Sequence, residues 1–165
     1  MMTNGASDVV TMAGMGLTTT VLAPLVVWSR RGVLPRRLRA VPAPAVLAGF
    51  AVVHAAVTLT MGVASAPPEK FGLWLLLLCG ACVFWVPVLA SQGGLSAPGK
   101  VLYLFIASPS LDLAAVGMVI AGDRNGGLAM IAAMIPLGAA GMASVYGWAV
   151  AEERSAQRSA AAGRR

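Results

Sequence analysis

The residues with the most chemical potential in this chain lie inside long apolar stretches. His54 is the only histidine, and Asp112 is a lone carboxylate in another apolar stretch. Each lies about eleven residues, or about 16 Å along a helix, from the same end of its stretch. A carboxylate at mid-bilayer costs at least about 2.5–3.5 kcal/mol, so Asp112 needs a partner or a proton. A metal, proton or substrate site would satisfy it, and so would a structural hydrogen bond to His54, Ser108 or Ser110.

Two cysteines form a Cys-x-x-Cys pair in a third apolar stretch. This spacing places Cys79 and Cys82 on one face of a helix. Paired sulfur ligands favour a soft ion such as Cu(I). In hydrocarbon a thiolate is poorly stabilised, so small apolar packing residues are the alternative interpretation. We expect no disulfide framework, because a bridge within one helical turn would constrain nothing.

The chain is rich in methionine, with nine in total. Met12 and Met15 share one helix face, and Met130 and Met134 share another. Thioethers bind Cu(I), which would allow a copper relay. Methionine at helical spacing also fills cores, and both interpretations stay open.

The composition indicates that lipid covers most of the molecule. Of the 165 residues, 58% are hydrophobic and 11% are charged, whereas a soluble domain carries about 25% charged residues. The net charge of +6 comes from basic clusters beside apolar stretches, a pattern of cytoplasmic loops and not of a nucleic-acid surface. The lone histidine has no nucleophile at a recognisable spacing, so we expect no enzyme and no catalytic residues.

Five apolar stretches are long enough to cross a bilayer, which takes about 20 helical residues. The predicted spans are about 9–28, 43–64, 71–90, 101–121 and 128–150. The predicted fold class is therefore all-α, a polytopic transmembrane bundle of about five helices in a single domain over residues 1–151. Residues 152–165 are mostly Ala, Ser, Gly and Arg, and we predict a disordered basic cytoplasmic tail.

The distribution of Lys and Arg predicts the orientation. Five arginines lie between Ser29 and Pro42, Lys100 lies in the loop after the third span, and four arginines lie in the tail. The other two loops each carry one basic and one acidic residue. The positive-inside rule then puts the N-terminus outside and the C-terminus in the cytoplasm. We expect a multi-pass protein of the cell (plasma) membrane.

Three groups of short motifs follow one another in the order found in a known family. They are Leu22-Ala-Pro-Leu25, then Phe84-Trp-Val-Pro-Val-Leu89 with Leu95-Ser and Tyr103-Leu-Phe105, and then Gly122-Asp-Arg-Asn-Gly-Gly-Leu-Ala-Met130 with Trp148 and Glu152-Glu-Arg154. In order and spacing they resemble the CtaG family of cytochrome c oxidase assembly proteins, integral membrane proteins tied to copper delivery. The resemblance implies roles for Asp123 and Met130, which match family positions, and for His54.

The chain departs from that family in its histidines and its number of spans. Family members usually have additional spans and several histidines near the outer ends of helices. Here those positions fall near Met15 and between Lys70 and Trp74, where no histidine stands. Either sulfur ligands have taken over the site, or the chain keeps the scaffold without the metal.

Three hypotheses for function follow. The first is a membrane factor that assists cytochrome c oxidase assembly through copper, with haem-copper oxidase subunits as partners beside the lipid bilayer and no nucleic acid. The others are a non-catalytic accessory subunit of a larger membrane complex, and a small proton- or cation-coupled transporter. The candidate metal ligands are Cys79, Cys82 and His54, and the other candidate functional residues are Asp112, Asp123 and Met130.

Overall fold

The chain folds as a bundle of five long helices. The structure, a computed structural model, describes residues 4–30, 37, 41–64, 66–90 and 93–162. Five helices in this part of the chain are long and apolar enough to cross a membrane, and we call them the first to the fifth span: Val9–Arg30, Ala43–Met61, Pro67–Leu89, Ala97–Ile120 and Arg124–Ala162. The described residues contain no strand, and the predicted all-α bundle of five membrane helices is confirmed.

The helix starts follow from local sequence. The second, third and fourth spans each have proline in the first turn, where the missing amide hydrogen would have no partner anyway. The Ser96 hydroxyl accepts a hydrogen bond from the Gly99 amide at 3.3 Å. An Asp123 carboxylate oxygen accepts one from the Gly126 amide at 3.0 Å. These caps satisfy amides that the helix itself leaves free, so the fourth and fifth spans begin there.

Successive spans run in opposite directions and give the bundle two different ends. Arg30 and Lys100 lie at the end that we call the basic end, and Glu69 and Asp123 lie at the opposite end. The fifth span packs against the first and fourth, the second packs against the third and fourth, and the third packs against the first. Other basic residues behind the orientation prediction lie outside the described residues: Arg31, Arg36, Arg39, Arg164 and Arg165.

An aromatic cluster holds the second, third and fourth spans together. The ring of Phe84 lies 5.0 Å from that of Phe50 and 5.2 Å from that of Tyr103. All three side chains are buried. Phe50 also lies 5.7 Å from the ring of His54 one turn along the second span. The cluster therefore fixes the position of His54 in the interior.

Pro24 changes the hydrogen-bond register of the first span. Residues Thr18–Leu22 form a π-helical segment, and the Ala23 amide donates to the Thr18 carbonyl. In this register the next donor, to the Thr19 carbonyl, would be residue 24, which is proline and has no amide hydrogen. The Trp85 indole nitrogen donates to that carbonyl instead, at 2.8 Å. A side chain of the third span thus supplies the hydrogen-bond donor that the first span lacks at this carbonyl.

A hydroxyl also donates in the turn before each of the other prolines inside spans, one residue after the carbonyl that proline leaves without its helical amide. Pro87, Pro109 and Pro136 each interrupt a helix, and a hydroxyl donates to the carbonyl three residues before each. The bonds run from Tyr103 to Phe84 at 2.9 Å, from Ser110 to Ile106 at 2.7 Å and from Thr20 to Ala133 at 2.9 Å. Each hydroxyl thus adds a hydrogen bond next to the backbone that proline interrupts.

The tail differs from its prediction. The fifth helix continues without a break to Ala162, and residues 151–162 are exposed. The absence of a buried face predicted disorder, but this stretch extends a helix that is already nucleated. Its Ala, Glu, Gln and Arg residues are also strong helix formers. The prediction of a disordered tail is therefore corrected for residues 152–162.

Candidate functional site

His54 lies at the centre of the bundle without a hydrogen bond. Its side chain is 0% exposed, and neither Nδ1 nor Nε2 has a hydrogen-bond partner. A neutral imidazole carries one donor and one acceptor, and a buried polar group left unsatisfied costs about 1–3 kcal/mol. Such a group in a folded protein calls for an explanation, for example an ion or a water molecule. His54 is therefore the first candidate for a ligand-binding residue.

Met130 lies next to the same face of the second span. The hydroxyl of Thr58, one turn beyond His54, donates to the Met130 sulfur at 4.0 Å. Both side chains are fully buried. The second and fifth spans are antiparallel. One turn toward the basic end, the second span reaches His54 and the fifth span reaches Met134, so these two residues lie at the same height. Met134 is buried as well.

The first span packs against the fifth span at this height. A Cβ atom added at Gly16 would lie 3.3 Å from the Met130 carbonyl oxygen and 2.6 Å from the Ala133 Cβ. The two helices thus approach as closely as glycine allows. Met15, beside Gly16, is fully buried. His54 and the three methionines therefore lie at similar heights on three spans, and we call these four buried side chains the buried layer.

The burial of methionine is general in this chain. Of the seven methionines among the described residues, only Met142 is exposed, at 62%. The six buried ones are Met12, Met15, Met61, Met118, Met130 and Met134. The two pairs that the sequence places on shared helix faces both point inward. Thioethers are soft ligands and remain neutral, so they can line an apolar interior without a charge.

The two cysteines do not join this layer. Cys79 is exposed and Cys82 is half-buried. Their neighbours Leu77, Ala81 and Phe84 occupy the buried face of the third span instead. Among the described residues, no three His, Cys, Asp or Glu side chains gather in a group that could hold a metal ion. The predicted metal set of Cys79, Cys82 and His54 is thus not brought together, because Cys79 faces outward while His54 is fully buried.

The two aspartates have different surroundings. Asp112 does not pair with His54, since both ring nitrogens and Oδ1 of Asp112 lack partners. The Ser110 hydroxyl donates to the Ile106 carbonyl and not to Asp112. Asp123 caps the fifth span through the Gly126 amide. Its position in the motif therefore has a structural explanation at the helix start.

Sequence reasoning missed Thr58 and the side chains that complete the proline turns. The signal for Thr58 is its spacing, four residues after His54, which puts both on one helix face. Trp85, Tyr103 and Thr20 carry no local signal, because each donates to a carbonyl of a different span. Only the packing of the spans reveals these partners.

Comparison with known proteins adds no identification. No protein-family model, no curated protein and no solved structure matches the chain. The resemblance to the CtaG family rests on the motifs quoted above and stays a prediction.

Proposed function

We propose that this chain is an integral factor of the plasma membrane that assists cytochrome c oxidase assembly by binding and passing on Cu(I). His54 would bind the ion together with Met130, Met134 and Met15. The observation that carries the proposal is the imidazole of His54, which is fully buried with both ring nitrogens unpartnered.

The chemistry of the buried layer favours a soft monovalent ion. Imidazole binds copper, and thioethers select Cu(I) among the first-row metals. Neither ligand has to lose a proton to bind at neutral pH. A thiol would have to, and creating a thiolate in a low-dielectric interior is costly. The layer around His54 is therefore better suited to copper in a membrane than Cys79 and Cys82 are.

The link to oxidase assembly comes from the motif resemblance. Met130, which matches a family position, is also the sulfur next to Thr58 and belongs to the buried layer. The missing family histidines are consistent with a site in which sulfur replaces nitrogen. Copper is here the cargo of the protein, to be handed to a haem-copper oxidase subunit.

Anaerobic loading tests the copper site. We expect the detergent-purified full chain to retain nearly stoichiometric Cu(I) after desalting, measured by elemental analysis. His54→Leu and the double variant Met130→Leu, Met134→Leu should lose it, since leucine keeps the volume and removes the ligand atom. Met142→Leu is the matched control at an exposed methionine and should retain copper.

The cysteine pair supplies the decisive comparison. The double variant Cys79→Ser, Cys82→Ser should keep its copper. Loss of copper in this variant, with retention in His54→Leu, would move the site to the thiols. A wild-type chain that retains no copper would remove the copper-handling proposal altogether.

Complementation tests the assembly role. In a strain that lacks this chain, we expect membranes to show reduced copper-dependent oxidase activity. Wild type and Met142→Leu should restore it, and His54→Leu should not. Full restoration by His54→Leu at equal protein levels would contradict the proposed role of the site.

A further inference from the structure

Asp112 lies on a helix face that is otherwise turned to lipid. Phe105, Pro109, Asp112 and Val116 recur every three or four residues along the fourth span and so share one face. Phe105 is 52% exposed and Val116 is 42% exposed, and Pro109 is exposed as well. Asp112, between them, is partly exposed. Its carboxylate therefore stands at the edge of an apolar outer surface.

The depth of Asp112 makes this position unfavourable for the chain alone. It lies eight residues from the end of the fourth span at Ile120, or about 12 Å. Its Oδ1 is buried without a partner. Ionisable side chains in membrane spans almost always face the bundle interior or a water-filled cavity, where they are paired. Asp112 has neither arrangement among the described residues.

The fifth span, which packs against the fourth, has an open outer face of its own. Gly127 of the fifth span packs against the Ala115 carbonyl, and Gly141 lies near Leu104. Between these two contacts the fifth span exposes Ile135 to 68%. A Cβ atom at Gly138 would meet nothing within 4 Å. Small residues on an open face allow close helix approach in membranes.

The geometry points to a docking surface for a membrane helix of another protein, and we infer that this helix carries a lysine or arginine that pairs with Asp112. An unpaired carboxylate at this depth is complemented best by a cation that also donates hydrogen bonds. This inference does not depend on copper binding. It describes how the chain attaches to a partner.

A second copy of this chain does not supply that cation. Between the ends of the five apolar stretches the sequence has no lysine or arginine. The single histidine is fully buried inside the bundle. At the depth of Asp112 a second copy would present no basic group, so the partner must have a different sequence.

The test uses a synthetic membrane helix as the partner. The full chain, with a fluorophore after Arg165, is reconstituted in phosphatidylcholine vesicles. Energy transfer is measured to a leucine-rich transmembrane peptide with one central lysine, and to the same peptide without it. We expect the lysine peptide to associate at least about tenfold more tightly. Asp112→Asn, which keeps the size of the side chain, should abolish the difference.

Charge reversal and self-association complete the experiment. The variant Asp112→Lys should no longer bind the lysine peptide, and it should bind a peptide with a central aspartate instead. Equal binding of the lysine and leucine peptides to the wild type, or unchanged lysine-peptide binding by Asp112→Asn, would overturn the inference. It would also be overturned if labelled copies associate with each other and Asp112→Asn removes that association, since the occupant would then be a second copy. Circular dichroism of each variant confirms that the helices form.

Discussion

At the scale of single residues, His54 lowers the stability of the fold while it offers a ligand for an ion. A buried imidazole without hydrogen bonds destabilises the metal-free fold, and an apolar side chain at the same place would not. Binding of an ion or a water molecule to the ring nitrogens would remove this cost. The same argument does not apply to Thr58, whose hydroxyl has a partner in the Met130 sulfur.

We predict that His54→Leu stabilises the metal-free protein. Removing two unsatisfied nitrogens should raise the free energy of unfolding by about 1–2 kcal/mol. The measurement is denaturant unfolding in detergent, followed by circular dichroism. Phe50→Leu, one turn away in the aromatic cluster, is the control and should destabilise the protein. A loss of more than about 1 kcal/mol in His54→Leu would mean that the ring nitrogens have a partner after all.

At the scale of the helices, proline and its partners explain why the spans fit together in one way. Each interrupted helix leaves main-chain carbonyls that hydrocarbon cannot solvate. Beside Pro24, Pro87 and Pro136, the hydroxyl or indole that donates to a carbonyl of the preceding turn comes from another span. These bonds tie particular pairs of spans together at fixed heights. The first, third, fourth and fifth spans are all joined through them.

Trp85→Phe tests this arrangement. The substitution keeps an aromatic ring and leaves the Thr19 carbonyl without a donor. We expect the free energy of unfolding to fall by about 1–3 kcal/mol. Trp148→Phe, at a more exposed position near the basic end, should change it by less than about 0.5 kcal/mol. Equal effects of the two substitutions would show that the indole bond to Thr19 does not matter.

The spans were predictable because length and hydropathy decide them. All five predicted spans overlap the observed helices, and the second begins at Ala43 in both. The helix starts at Ala97 and Arg124 lie four residues before the predicted positions. There the Ser96 and Asp123 caps, and not hydropathy, set the boundary.

The candidate site was less predictable, because it depends on which way each helix faces. His54 and Met130 were identified from the sequence, and both are buried. Cys79 was grouped with them on chemistry alone, and its helix turns it outward. In a membrane helix both faces are apolar, so hydropathy does not distinguish the face toward lipid from the face toward the bundle.

At the scale of the whole molecule, charge divides the two ends of the bundle. The basic end carries Arg30, Lys100 and the helical extension with Arg154 and Arg158. The opposite end carries Glu69 with Lys70 and Asp123 with Arg124, each pair neutral in sum. Such an asymmetry sets the orientation of short-looped membrane proteins.

We therefore predict that the basic end faces the cytoplasm. A reporter that is active only in the cytoplasm should be active when fused after Arg165, and a reporter that needs export should be inactive there. Inserted in the turn at Gly122, the two reporters should give the reverse result. Activity of the exported reporter at the C-terminal fusion would overturn the predicted orientation.

X-ray absorption at the copper edge tests the proposed copper site through the atoms that bind the ion. The sample is the Cu(I)-loaded full chain carrying Cys79→Ser and Cys82→Ser, so that any sulfur next to copper must come from methionine. We expect sulfur and imidazole nitrogen together in the first coordination shell, and we expect His54→Leu to retain too little copper to give this spectrum. Copper with neither sulfur nor imidazole around it, or a spectrum that His54→Leu leaves unchanged, would show that His54 and the methionines do not bind the ion.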